Sequence, residues 1–157
     1  MISTKIRHIL CAVLGKPTSR TTVTKAIDLA LEHNARLTFT HVVDAEFLAS
    51  ATPTMTPLRA IYNQLRELGE FSMLILCDRA QRRGVENVDY IIREGQILSQ
   101  LRMAISEMQP DMFVVGKPLG KSPTTPSITI EEIEEFITDI EENFSIQVVP
   151  VEIKLAT

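Results

Sequence analysis

Five short apolar runs, separated by four stretches of helical spacing, leave this chain few ways to fold. The runs are Ile6 to Leu14, Arg36 to Val43, Asn87 to Arg93, Met112 to Val115 and Ile146 to Ile153. Near-continuous apolar strands of this kind are buried on both faces, the signature of a parallel sheet rather than a half-solvated antiparallel one. Between them, Val23, Ile27, Ala30 and Leu31 fall on one helical face. Leu58, Ile61, Tyr62, Leu65 and Leu68 do so in a second segment that continues to about Arg83 and is weakened by Gly69. Leu98, Leu101, Ile105 and Met108 form a third stripe; Ile133, Phe136, Ile137, Ile140 and Phe144 form a fourth. The order β-α-β-α-β-α-β-α-β, with right-handed crossovers, gives an α/β fold: a five-stranded parallel sheet with helices on both faces. At 157 residues the chain fits one domain over 1–157.

The last helix has the best-marked start. Thr129 with Glu132 fits a capping box, and Ile128 can reach Ile133 as a hydrophobic staple. Its seven acids, Glu131, Glu132, Glu134, Glu135, Asp139, Glu141 and Glu142, read as a solvated face, or else as a docking face for a basic partner. Ala45 to Pro57 lacks a period and reads as a surface excursion; Lys117 to Ile128 reads as a second loop, which Gly116 would let leave its strand tightly.

Charge and composition exclude several classes. The net charge is −4, and residues 122–153 hold eight acids with no Lys or Arg, so no basic stripe invites nucleic acid. No apolar run approaches the ~20 residues that span a bilayer. Cys11 and Cys77 are far apart in sequence, which suits free thiols in a reducing cytoplasm better than a metal or redox pair. No G-x-S-x-G elbow or H-E-x-x-H pair is present. His41 alternates with Phe39 and Val43 and reads as a satisfied strand histidine, while His33 with Asn34 closes the first helix.

In an open α/β sheet, ligands bind beyond the carboxyl ends of the strands, where the strand order reverses. The loop after the fourth run, Gly116-Lys-Pro-Leu-Gly120-Lys121-Ser122, resembles a phosphate cradle but is one residue short of a P-loop. Asp44 and Glu94 end the second and third runs and are solvated strand ends or ligand contacts.

These segments resemble the universal stress protein family. The resemblance is carried by Ile9-Leu-Cys-Ala-Val-Leu-Gly15, by Ala26 to Asp44 ending in His-Val-Val-Asp, by Ile92-Arg-Glu-Gly95, by Gln109-Pro-Asp-Met-Phe-Val-Val-Gly116 and by Val148-Val149-Pro150. It implies a five-stranded parallel sandwich, homodimers formed through the last strand, and a stress-response or regulatory role without catalysis. It also implies a nucleotide cleft, here at Ala12, Val13, Leu14, Val42, Val115, Gly116 and Gly120, with Lys121 and Ser122 as anion donors. ATP-binding members carry Gly-x-x-Gly, a spacer, and then Gly-Ser or Gly-Thr. Here Leu119 stands at the second glycine, Gly120 comes one place late, and Glu131 or Glu132 replaces the final pair. Leu14 also replaces the family's acid after the first strand. Two readings follow: a degenerate cleft that holds no cofactor, or a switch that still binds ATP or AMP. A related adenylating enzyme is disfavoured, since neither a Ser-Gly-Gly-x-Asp loop nor His-Ile-Gly-His occurs.

Overall fold

The computed structural model describes residues 5–14, 19–44, 58–119 and 128–154. The strands are β1 (His8–Val13), β2 (Arg36–Asp44), β3 (Val88–Gly95), β4 (Met112–Leu119) and β5 (Gln147–Lys154). The helices among the described residues are α1 (Ser19–His33), α2 (Leu58–Arg83), α3 (Ile97–Met108) and α4 (Ile130–Phe144). All strand pairs are parallel, in the order β3-β2-β1-β4-β5. The order reverses between β1 and β4, so the expected crevice lies there.

Alternation along β1 divides the interior in two. Ile9, Cys11 and Val13 join α1 and α2 in one apolar layer, with Leu37, Phe39, Met73 and Ala80. Leu10 and Ala12 point the other way, toward Leu101, Ile105, Ile133, Phe136 and Ile140 of α3 and α4. With so few aromatics the filling is mostly aliphatic; Phe113 and Phe136 supply one edge-to-face pair at 6.1 Å.

Local chemistry fixes the ends. Asn34 adopts φ 51° just after α1, as an αL-capable residue should. The Asp111 carboxylate accepts from the amides of Arg7 and His8, both at 2.9 Å, and so fastens the start of β1 to the start of β4. Gly69, which costs α2 helix propensity, has a packing reason: a Cβ there would lie 2.8 Å from Cδ2 of His41.

The clearest departure from the sequence reading is β4. It does not end at Val115 with Gly116 as a tight exit; it stays paired to β5 through Lys117↔Glu152 and Leu119↔Lys154. Glycine and proline are turn signals, but here Pro118 lies beyond Val114, the last β4 residue in register with β1. Past that point β4 is effectively an edge strand, the setting that tolerates a missing N–H.

Candidate functional site

The β1–β4 ladder runs from Ile9↔Met112 to Cys11↔Val114, whereas β1 continues to Val13 and β4 to Leu119. The carboxyl ends of these strands therefore flank the switch-point crevice. Ala12, Val42 and Val115 are buried in the α3–α4 layer, with Leu14 packed against them. Val13 turns to the opposite layer, and Gly116 sits buried in β4 opposite Val151. The crevice floor is thus apolar. Gly120, Lys121 and Ser122 fall outside the described residues.

The first turn of α4 approaches the same end of the sheet, since Ile128 and Ile133 share the apolar layer of Ala12 and Val115. Its amino terminus is occupied from within. The Thr129 hydroxyl accepts from the Glu132 amide at 3.2 Å, and Glu132 Oε1 accepts from the Thr129 amide at 3.4 Å. The positive end of a helix dipole is an anion site, and here a carboxylate of the helix itself holds that position. Lys117, the cation next to Gly116, is drawn to Glu134 at 3.4 Å.

A second polar group, at the carboxyl ends of β2 and β3, is only partly visible in the sequence. Glu94 is met by Arg59 at 3.4 Å and Arg66 at 3.6 Å, both from α2. Arg59 also lies over the Tyr62 ring at 5.8 Å. Burial and the carboxylates of Glu94 and Asp44 push the Tyr62 phenol upward. The two acids end their strands in the sequence, but their arginine partners arrive from one face of α2, which no sequence spacing announces.

His41 and His8 are held by hydrogen bonds within the sheet. His41 Nδ1 lies 3.3 Å from the Val13 carbonyl, which can only accept, so Nδ1 carries the proton. Burial lowers the His41 pKa, against that hydrogen bond. His8 Nε2 lies 2.8 Å from the Thr38 hydroxyl, which in turn donates to Asp89 at 2.6 Å. Burial, then Arg36, lower its pKa against Asp89 and Asp111. Cys11 is buried and its thiol is pushed up to about 12; Cys77 is raised to about 11, chiefly by burial. Neither thiol has the thiolate character of a nucleophile. Among the described residues no group of three or more His, Cys, Asp or Glu is placed to hold a metal ion, and no helix is long and apolar enough to cross a membrane.

A parallel sheet whose strand order reverses between β1 and β4, with an apolar crevice at its carboxyl edge, defines an open, doubly wound α/β protein. The profile described as "Universal stress protein family" matches residues 5–118, and the chain belongs to that family. The fold is shared with solved members. Universal stress protein UspA from Lactobacillus plantarum is 17% identical over 95% of this chain and 99% of its own, with a TM-score of 0.72. A universal stress protein in complex with cAMP is 20% identical over 94% and 98%, with a TM-score of 0.58. A family member from Arabidopsis thaliana with AMP bound is 14% identical over 93% and 91%, with a TM-score of 0.54. A search of curated proteins finds no match.

Proposed function

We propose that this chain is a non-catalytic universal stress protein, a homodimer through β5, with a stress-response or regulatory role in the cytoplasm and a cleft that does not grip ATP. The whole of 1–157 acts as one domain, since the sheet draws strands from His8 through to Lys154. The observation that carries the reading is the self-capped start of α4: Glu132 holds the position where a triphosphate would need bare amides. Lys117, engaged by Glu134, adds to this. A phosphate entering there would meet like charge at short range, and the crevice walls lower the screening that water would provide. An absence of catalysis fits His8 and His41, whose pKa values are lowered and whose rings are held by hydrogen bonds within the sheet.

A second reading, an AMP- or ATP-responsive switch, is favoured by one finding: two fold neighbours were solved with cAMP and AMP. A monophosphate places less charge near Glu132 than a triphosphate does. Calorimetry on the purified protein with Mg-ATP and with AMP separates the two. The first reading expects no heat with either up to millimolar concentration. Micromolar Mg-ATP binding that is abolished by Lys121→Ala would overturn it, and AMP heat alone would select the switch. The remaining cleft assignments, Ala12, Val13, Leu14, Val42, Val115, Gly116, Gly120 and Ser122, are read out by the same titration on single variants.

A further inference from the structure

The outer face of α2 carries an apolar stripe that its own fold leaves uncovered. Leu68 is 63% exposed, Phe71 65%, Leu74 55% and Ile75 53%. At 100° per residue these four lie on one side of the helix, opposite Met73 and Ala80, which are buried against the sheet. Isolated exposed leucines are ordinary, but four large apolar side chains within eight residues form a contiguous patch of the kind that marks an interaction surface. α2 packs on β2 and β3, at the end of the sheet remote from β5.

The charges around the stripe indicate what covers it. Gln64, Glu67 and Glu70 precede or flank it; Asp78, Arg79, Arg82 and Arg83 follow. The rim is close to balanced, so it selects neither a strongly acidic nor a strongly basic partner. It is instead complementary to itself when reversed. An antiparallel helix pair that sets Phe71 against Ile75 of a second copy places Glu67 opposite Arg79 and one turn from Arg82. Arg79 is held by Thr24 at 2.7 Å, whereas Arg82 is highly exposed and, among the described residues, paired within its own helix to Asp78. The twofold axis makes the contact twice: each copy's Glu67 meets the other's Arg82.

We propose that the outer face of α2 is a symmetric contact surface for a second copy of this chain, with the helices antiparallel and Glu67 paired to Arg82 across the axis. The proposal stands apart from the edge-strand dimer, because it uses the opposite end of the sheet.

Sedimentation velocity over about a hundredfold range of protein concentration tests it, since association at such a surface follows mass action. The wild-type protein is expected to at least double in mass relative to Phe71→Glu, whatever the smallest species is. Phe71→Glu alters a mostly exposed side chain, so its circular dichroism should match wild type. Glu67→Arg and Arg82→Glu should each fail to self-associate through this face, and an equimolar mixture of the two should associate, because both contacts of the mixed pair are then of opposite sign. Identical sedimentation of wild type and Phe71→Glu at every concentration would overturn the proposal. A mixture no more associated than either variant alone would overturn the antiparallel pairing on which it rests.

Discussion

His41 links three parts of the molecule through a single ring. Its Nδ1 holds the carbonyl of Val13 at the crevice, its Cδ2 edge fills the space that a side chain at position 69 would need, and burial keeps it neutral. The sequence places His41 correctly as a satisfied strand residue, and it flags Gly69 as a weak point in a helix. It does not show that the weakness and the ring are the same fact, since the two residues meet only after α2 folds back across β2. Both His41 and His8 have folded-state pKa values lowered from 6.5. The unfolded chain therefore takes up protons first as the pH falls, and stability present above about 6.5 is lost below it. Melting temperature should drop between about pH 7.5 and about pH 5.5. The drop should be smaller in His41→Asn, whose amide can still donate to Val13 but does not titrate; calorimetric scans of both proteins check this.

At the level of elements, the helix start at Thr129 was legible because capping chemistry is local: a hydroxyl and a carboxylate three residues apart satisfy each other's backbone amides. Thr129→Ala should cost about 1 kcal/mol of unfolding free energy, read from the midpoint of urea denaturation with an unchanged slope. β4 was legible only to Val115, because Gly116 and Pro118 carry turn signals that a neighbouring strand can override. The pairing that overrides them, Gly116↔Val151 through Leu119↔Lys154, joins segments more than thirty residues apart. In α2 the failure was of another kind. Apolar residues occur on both of its faces, so the periodic set ending at Leu68 names a stripe without saying which stripe is buried; the structure buries Met73 and Ala80 and leaves Leu68 exposed.

For the whole molecule, strand count and helix placement were readable from apolar periodicity, because a parallel sheet needs covering on both faces and this sets the order of elements along the chain. The lateral strand order, and with it the switch point between β1 and β4, was not, since periodicity does not say which strands become neighbours. Association was not readable to the same degree, since interfaces are surfaces with no period. Among the described residues β5 is paired on one side only, to β4. If two copies join along it, backbone amides within Gln147–Lys154 that face away from β4 gain partners on association. Hydrogen–deuterium exchange should then slow at those amides as protein concentration rises, with Pro150 contributing none. Exchange at those amides independent of concentration would argue against the edge-strand dimer and leave the α2 contact to be judged on its own test.

The length of β4 has a consequence for how anything in the crevice would be recognised. Beyond Val114, among the described residues, its β1-facing margin makes no ladder bond with β1, so main-chain groups stand beside the apolar side chains of the floor. Contacts made through peptide groups survive changes of side-chain identity. Relatives could therefore drift far apart in sequence around this crevice while keeping the same polar margin, and residue-by-residue comparison alone would misjudge what each of them can hold.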